Sequence, residues 1–414
     1  MPNEHAQKKR LWIVTEVYYP EMISTGYYLT SIAEGLTADF DVKVICGQPN
    51  YAARGTIAPY REVHNGVEIF RTWSTRLDKN VIPYRVVNMF TLGASMFMRS
   101  IARFGPGDEV LVVTAPPSLP FTTALAALMR RSTYTLLLHD SYPEILVAVG
   151  KTKPDSALVR VANRLNRWLY KHARRIIVVG RDMKELMEQK ARGLDPAIVT
   201  IPNWADLDLV EPGDRHNNPL LEQLGLRDKF VFMYAGNIGH PTDIESIIEC
   251  ASMLRDDERF HFVFVGSGAK KPWLDATVAE RGLTNVSILG TRPREEQRVF
   301  LNACDVGLIS LVGNMWGTAM PSRTYNILAA GKPILALTDE GSELARVIDE
   351  ERVGWHIRPH DPAALRDAVI EIYSRRAELD EMGRRARAAA VEKYSPERAV
   401  ESYRRAMTSF TDIV

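Results

Sequence analysis

Cysteine is scarce in this chain of 414 residues. Cys46, Cys250 and Cys304 are the only three, and they lie far apart within apolar or helical stretches. They supply neither a zinc ligand set nor a disulfide framework, so we expect a protein of the reducing cytoplasm. Residues 1–10 are polar and lack the apolar core of a signal peptide, which favours the same compartment.

The motifs of several common enzyme classes are also missing. No H-E-x-x-H, G-x-S-x-G or cysteine pair occurs, which argues against zinc and serine hydrolases. The GSG at 266–268 follows a predicted strand, but Lys271 stands where a dinucleotide-binding loop has its third glycine. Residues 150–152 resemble the end of a P-loop, yet Ile145 replaces the first glycine that this loop requires.

The sequence has no long apolar run and no overall excess of one charge. Its longest apolar-leaning stretches, 86–98 and 119–129, are shorter than the roughly 20 residues of a membrane span. The net charge is +1, but residues 1–202 hold 26 basic and 18 acidic residues. A basic first half favours contact with lipid headgroups, a diphosphate or nucleic acid, although an ordinary surface imbalance explains it equally well.

Short apolar, β-branched runs alternate with helix-sized segments. Runs of this kind predict central strands of parallel sheets. They are residues 11–16, 42–46, 67–71, 109–114, 134–139 and 175–180, and then 230–236, 260–266, 285–289, 305–311 and 333–338. Two such series predict an α/β protein with two doubly wound sheets.

The boundary between the two series is predicted near residues 201–229, within which residues 211–219 are rich in Pro, Gly and Asn. We therefore assign residues 1–202 to a first domain and residues 203–394 to a second. The segment 395–407 predicts a helix that begins with Ser395 as its N-cap and Pro396 at the first helical position.

Two segments of the second half carry residues suited to a phosphate. Residues 234–239, YAGNIG, end a predicted strand, and small residues there let backbone N–H groups approach a ligand. In residues 319–333, Pro321 and Ser322 predict a helix start, whose free N–H groups and Arg323 suit a diphosphate. A tight turn and an ordinary capped helix explain the same patterns without a ligand.

Two segments of the first half also follow predicted strands. His139 and Asp140 end the run at 134–139, and such a pair suits acid–base or hydrogen-bonding work, although many His-Asp pairs are structural. Gly26 lies in residues 18–36, where a ligand would meet the first helix, and a simple connecting loop is the alternative.

In order along the chain, these segments resemble glycosyltransferase family 4, the retaining nucleotide-sugar transferases of GT-B fold. The resemblance is nearest to the branch that builds O-antigen and exopolysaccharide, which is similar to fucosamine transferases. It rests on residues 18–36, 139–144, 201–208, 234–239, 264–274, 288–310 and 321–335. It implies two Rossmann-like domains facing a central cleft, an acceptor-binding domain and a donor-binding domain, with the final helix, 395–414, crossing back to the first.

The resemblance also implies a donor site and catalytic residues. The diphosphate is expected against Gly236, Asn237, Gly239, Ser322 and Arg323. The nucleoside is expected against Gly266, Lys270, Lys271 and Arg292. Gly26 joins the donor site, and His139 is expected to contact the transferred sugar beside Asp140. The catalytic residues are then His139, Asp140 and Arg323.

One departure concerns two glutamates that most family members carry eight positions apart. Thr318 and Asn326 occupy those positions. Asn326 can still donate and accept hydrogen bonds at a ribose, whereas Thr318 is a weak substitute near the sugar. We keep both as donor-binding residues, and they raise the alternative of a silent protein that binds a sugar nucleotide or lipid without turnover.

The resemblance implies front-face attack, in which the leaving diphosphate accepts the acceptor's proton. Catalysis then rests on stabilising that diphosphate and on holding donor and acceptor together, without a metal or cofactor. We expect a hexosyl- or N-acetylhexosaminyltransferase that uses a nucleotide-sugar, with UDP preferred. The expected acceptor is a glycan or polyprenyl-diphosphate-linked glycan in lipopolysaccharide or other polysaccharide biosynthesis.

Residues 81–103 combine apolar residues with Arg85, Arg99 and Arg103, and 160–175 add a basic helix face. With the basic first half, these predict peripheral contact with the cytosolic face of an anionic inner membrane. A domain-packing helix with a solvated basic face is the alternative. A sugar phosphorylase or nucleotide-sugar epimerase also stays open, whereas nucleic acid is disfavoured because the basic residues are not interleaved with aromatics.

Overall fold

A computed structural model describes residues 8–50, 57–75, 77, 82–194 and 196–408. Three segments named in the sequence analysis are described only in part. Residues 1–7 of segment 1–10 and residues 409–414 of segment 395–414 lie outside the described residues. In segment 81–103, Val81 and the side chains of Ile82 and Arg85 do so as well.

The chain divides into two compact units. The first is drawn from Met1–Pro143, Asp155–Pro202 and Ala399–Val414, and the second from Glu144–Pro154 and Asn203–Arg398. The units differ from the ranges inferred from sequence in two places. Glu144–Pro154, and the start of the last segment up to Arg398, belong to the second unit because they contact mainly its residues.

The first unit contains one sheet of eight strands among its described residues. They are β1 (Lys9–Val14), β2 (Phe40–Cys46), β3 (Arg61–His64), β4 (Val67–Arg71), β5 (Glu109–Val113), β6 (Thr133–Leu138), β7 (Arg175–Val178) and β8 (Ala197–Thr200). The strand order is β3-β4-β2-β1-β5-β6-β7-β8. Every neighbouring pair is parallel except β3 and β4. Its helices are α1 (Ser24–Gly35), α2 (Ile82–Arg103), α3 (Leu119–Met129), α5 (Ala157–His172) and α6 (Arg181–Lys190), and the intervening α4 (Glu144–Ala148) belongs to the second unit.

The second unit contains a wholly parallel sheet. Its strands are β9 (Phe230–Ala235), β10 (Phe260–Val265), β11 (Val286–Leu289), β12 (Val306–Ser310), β13 (Ile334–Leu337) and β14 (Gly354–Ile357). Their order is β11-β10-β9-β12-β13-β14, so the winding direction reverses between β9 and β12. Its helices are α7 (Pro219–Leu224), α8 (Ile244–Met253), α9 (Lys271–Arg281), α10 (Gln297–Asn302), α11 (Arg323–Ala329), α12 (Glu343–Glu351), α13 (Pro362–Ser374) and α14 (Leu379–Glu392).

All eleven predicted runs form strands, and the predicted architecture of two doubly wound sheets is confirmed. The prediction missed β3, β8 and β14, which lie at sheet edges. Their residues are half-buried or exposed. Since an edge strand is covered less completely than a central one, its sequence does not need a continuous apolar run.

The last helix, α15 (Pro396–Thr408), begins as predicted. The Ser395 hydroxyl accepts a hydrogen bond from the Arg398 N–H at 3.4 Å. Within the first unit, Arg404 pairs with Asp39 at 2.6 Å, and a Cβ atom on Gly35 would lie 2.5 Å from Val400. The contact between α15 and α1 is therefore close and specific.

The three cysteines are all buried and unpaired. Burial raises the pKa of the Cys46 and Cys250 thiols to about 12 and that of Cys304 to about 11, so each behaves as a small apolar side chain. Among the helices that the structure describes, none combines the length and apolarity needed to cross a membrane.

Candidate active site

Two of the predicted diphosphate residues meet where the second sheet reverses its winding. Gly236 directly follows β9, and Arg323 begins α11, between β12 and β13 in the chain. A Cβ atom on Gly236 would lie 2.8 Å from Arg323 Cζ. Open α/β sheets bind ligands at the carboxyl ends of strands beside such a reversal, so this is the expected place for a site.

Arg323 presents its guanidinium without a hydrogen-bond acceptor from the described part of the chain. The group lies over the Tyr234 ring, with Cζ 4.4 Å from the ring centroid, a cation–π contact that fixes its position. It donates no hydrogen bond to any described residue, and its Nη1 atom is buried. Buried N–H donors without acceptors are costly, and an anion would satisfy them. Because α11 has only seven residues, Arg323 rather than a helix dipole provides the charge here.

The loops after β9 and β10 pack backbone against backbone. A Cβ atom on Gly266 would lie 2.0 Å from the Gly236 carbonyl oxygen. Gly236 and Gly266 have φ angles of 148° and 140°, which side-chain-bearing residues rarely adopt. The Ile238 N–H donates to Ser267 O at 2.9 Å, and the Lys270 N–H donates to Ile238 O at 2.9 Å. These glycines are therefore required by packing as well as suited to a ligand.

Asn237 and Lys270 are held by neighbouring groups of the protein. The Asn237 amide lies over Gly239, where a Cβ atom would be 2.8 Å from Asn237 Nδ2. Lys270 Nζ donates to the Thr242 carbonyl at 2.7 Å and pairs with Glu245 at 2.8 Å. Lys270 therefore ties the loop after β10 to the start of α8, and Asn237 packs against its own glycine loop.

The other predicted cations also have carboxylate partners. Lys271 pairs with Asp275 at 2.6 Å, and Arg292 pairs with Glu296 at 2.8 Å. Each pair joins residues four apart along the chain. Of the four cations predicted to bind the donor, Arg323 alone has no carboxylate partner among the described residues, and the roles of Lys271 and Arg292 stay predictions.

The two residues that depart from the family pattern are engaged by the protein. Thr318 is buried and its hydroxyl donates to Met315 O at 2.7 Å. Asn326 accepts from the Asp206 N–H at 3.0 Å and donates to Gln297 Oε1 at 2.9 Å. A ribose contact at Asn326 therefore requires one of these bonds to be exchanged, and that role stays a prediction.

Ser322 is the N-cap residue of α11, and its side chain accepts no capping hydrogen bond from the helix. It precedes Arg323 at the same strand end, so the structure places both predicted phosphate residues of this segment together. The loop before them is held by Asp339, whose carboxylate accepts the N–H groups of residues 314–316 at 3.1, 2.6 and 2.9 Å. Sequence reasoning missed Asp339, although an acid directly after the strand predicted at 333–338 was a usable signal.

In the first unit, His139 and Asp140 follow β6. Desolvation lowers the pKa of His139 to about 4 and raises the pKa of Asp140 to about 6. The imidazole is uncharged at neutral pH, and its buried Nε2 atom has no hydrogen-bond partner in the described part of the chain. A neutral imidazole suits a hydrogen bond with a hydroxyl group better than it suits charge stabilisation.

Gly26 lies in the first turn of α1 and is buried. A Cβ atom there would lie 2.0 Å from the Glu21 carbonyl oxygen. The packing of this loop on its own helix therefore explains the glycine without a ligand, and its donor-binding role stays a prediction.

A cavity of about 750 Å³ opens at the opposite edge of the second sheet, where β9, β12 and β13 begin. Its lining includes Arg215, Asp305, Lys332 and Arg384 but none of the predicted donor residues. Across the described ranges, no three His, Cys, Asp or Glu side chains are grouped so that they could hold a metal ion. Metal-independent catalysis stays an expectation.

The chain matches known glycosyltransferases over most of its length. The family profile "Glycosyl transferase 4-like domain" matches residues 25–204, and "Glycosyl transferases group 1" matches residues 219–389. WbjE of Pseudomonas aeruginosa, named as a glycosyltransferase, is 31% identical over 395 residues, which cover 95% of this chain and 96% of WbjE. The chain belongs to glycosyltransferase family 4. The resemblance inferred from the sequence is confirmed.

Further similarities extend to a second relative and to solved structures. WcaI of Escherichia coli K12, whose name refers to colanic acid biosynthesis, is 25% identical. The match covers 80% of this chain and 84% of the WcaI chain. Sucrose-phosphate synthase of Thermosynechococcus elongatus matches with a TM-score of 0.77 and 16% identity, covering 96% of this chain and 99% of that one. HepE of Anabaena, solved with UDP-glucose, matches with a TM-score of 0.69 and 14% identity. The match covers 96% of this chain and 100% of the HepE chain. The expected GT-B fold is confirmed.

The close packing at Gly266 predicts a large cost for adding a methyl group. Gly266→Ala is expected to reduce the free energy of unfolding by about 2–4 kcal/mol, because the backbone is strained and the Gly236 carbonyl is in the way. Gly290→Ala is the matched control, since Gly290 follows β11 and a Cβ atom there meets nothing within 4 Å. Urea unfolding measures both, and equal losses would contradict this packing.

The ionised form of Asp140 is expected to lower the free energy of unfolding, because the carboxylate is desolvated in the folded chain. Its folded pKa of about 6 lies above the ordinary value of 3.8, so its contribution to stability decreases as the pH rises from about 4 to 6. Asp140→Asn should therefore raise the melting temperature at pH 8, and this advantage should shrink below pH 6. Asp208→Asn, at an exposed position, is the control. A variant less stable than the wild type at pH 8 would disprove this account.

Proposed function

We propose that this glycosyltransferase transfers a sugar, with retention, from a nucleotide-sugar to a glycan or polyprenyl-diphosphate-linked acceptor. The expected donor is a UDP-sugar, and the expected role is cell-surface polysaccharide biosynthesis in the cytoplasm. The observation that carries the donor assignment is the Arg323 guanidinium, which lies beside Gly236 without an acceptor among the described residues.

A nucleoside diphosphate fits the groups at this strand end. Arg323 supplies a full charge and a planar fork of N–H donors, which matches phosphate oxygens. The backbone after β9 and β10 carries no side chains at Gly236 and Gly266, so a diphosphate can approach it closely. That HepE was solved with UDP-glucose supports the same class of donor.

The proposed reaction forms a bond between an acceptor oxygen and the anomeric carbon and breaks the bond from that carbon to the diphosphate. The leaving diphosphate takes the acceptor's proton, so no protein base is needed. Charge grows on the diphosphate as the bond breaks, and Arg323 with nearby N–H groups stabilises it without a metal ion. The family pattern assigns His139 to the transferred sugar, and its uncharged ring suits a sugar hydroxyl.

The acceptor is proposed from the relatives and from chemistry. The name of WcaI refers to colanic acid biosynthesis, which supports a polysaccharide pathway. A polyprenyl-linked acceptor resides in a bilayer, and the basic first half suits an anionic leaflet. We therefore propose peripheral contact with the cytosolic face of the inner membrane.

A thermal-shift screen with UDP-, GDP-, ADP- and dTDP-sugars tests the donor assignment. A ligand that binds only the folded state raises the melting temperature, so one nucleotide class should stabilise the chain. A shift without turnover would favour the silent binding protein, for which the engaged side chains of Thr318 and Asn326 give a reason. No shift with any of the four would contradict the proposal.

Arg323→Ala is expected to cut turnover by about 10³-fold, because it removes the charge that stabilises the leaving diphosphate. Release of the nucleoside diphosphate from the selected donor measures turnover, and circular dichroism checks the fold. Arg323→Lys should recover part of the rate through charge alone. The control is Arg298→Ala, at a side chain that is 59% exposed. Near-normal turnover in Arg323→Ala would disprove the role of Arg323.

A further inference from the structure

Three neighbouring helices of the first unit contain no acidic residue. These are α2, α3 and α5, which are 22, 11 and 16 residues long, and α3 contacts both of the others. The whole chain has 51 acidic residues among 414. At that average content, helices of this combined length would hold about six. Their absence leaves these three helices without negative side chains of their own.

The outward sides of the same helices are apolar. Leu125, Leu128 and Met129 on α3 are each at least 39% exposed, and their spacing places them on one side of the helix. On α2, Phe90 is 75% exposed. Of the 22 large hydrophobic side chains exposed among the described residues, 11 lie on these three helices. Such a concentration is typical of an interaction surface rather than of ordinary solvent contact.

Helix α5 places apolar and basic residues side by side. Leu158, Val161 and Leu165 are each at least 51% exposed and follow one stripe of the helix. A second stripe holds exposed cations, Arg160, Arg164 and Lys171. Helices that lie in a membrane interface combine these two features.

We propose that this three-helix face, the outward sides of α2, α3 and α5, docks onto the surface of an anionic lipid bilayer. A bilayer interface supplies an apolar layer for the exposed Leu, Val, Met and Phe side chains and anionic headgroups for the cations. The lack of acidic residues removes repulsion from those headgroups. The inference rests on the proposed function, which includes peripheral membrane contact, and it names the surface that makes this contact.

Other occupants match the face less well. In a symmetric dimer the same surface of each copy meets the other, so cations would oppose cations without acidic partners. A nucleic acid supplies phosphates but leaves most of the exposed apolar side chains without an apolar environment. The combination of an apolar centre and positive charge therefore favours lipid.

Co-sedimentation of the full chain with vesicles tests the proposal. The vesicles contain phosphatidylcholine alone or a mixture with phosphatidylglycerol, each at low and high salt. The wild type should bind the mixed vesicles, more weakly at high salt because the charges are screened. Equal binding to both vesicle types, or no binding to either, would overturn the proposal.

Two triple variants separate the apolar and charged contributions. Leu128→Gln, Met129→Gln and Leu165→Gln remove apolar contacts, and Arg160→Gln, Arg164→Gln and Lys171→Gln remove charge. All six positions are exposed, so the fold should persist, as the melting temperature will show. Each triple variant should bind mixed vesicles at least about tenfold more weakly than the wild type.

The matched control, Met253→Gln with Ile370→Gln and Val391→Gln, alters exposed apolar residues of the second unit and should bind as the wild type does.

Two further readouts identify the reason for a failure. If light scattering shows a wild-type dimer that the apolar variant converts to monomers, and vesicles do not bind, the face is a self-interface and the proposal is wrong. Donor thermal shifts should be the same in all these variants. Loss of the donor shift with intact vesicle binding would contradict the proposed donor assignment alone. Intact donor binding without vesicle binding would contradict this inference and the proposed membrane contact, and would leave the donor assignment standing.

Discussion

The close approach of two strand ends shapes the candidate donor site. The backbones after β9 and β10 leave no room for a Cβ atom at Gly266, which would lie 2.0 Å from the Gly236 carbonyl. The same approach lets the two loops exchange backbone hydrogen bonds through Ile238. A surface built in this way is rigid and exposes peptide groups rather than side chains. Preorganised peptide dipoles are well suited to a phosphate group whose charge grows during a reaction.

Charge is distributed unevenly over that surface. Lys270, Lys271 and Arg292 are each neutralised by a nearby carboxylate. Arg323 instead rests on an aromatic ring, and its N–H groups have no acceptor in the described part of the chain. In the first unit, burial disfavours the charged forms of both His139 and Asp140. Polar groups kept without partners lower stability, and functional sites are where proteins most often retain them. This contrast singles out Arg323 more sharply than the sequence motif does.

The central strands could be predicted because each is an apolar run, and so could the edge strand β11. The edge strands β3, β8 and β14 could not, because they are only partly covered and carry no such run. The position of Arg323 beside Gly236 followed from strand order and family pattern. The contacts of Asn326 did not, since its partner Asp206 lies 120 residues away and the pattern pointed to a ligand instead. The sequence marks residues 119–129 only as an apolar stretch too short to span a membrane, and only the structure shows Leu125, Leu128 and Met129 exposed.

Hydrogen–deuterium exchange of the full chain, with and without UDP, tests most directly whether a nucleotide binds where the second sheet reverses. Bound phosphates and closer packing protect backbone N–H groups from exchange. We predict that UDP slows exchange in residues 236–239, 266–270 and 321–325. Protection confined to the cavity at the other edge of the sheet, in residues 212–215, 330–333 and 383–387, would contradict the account.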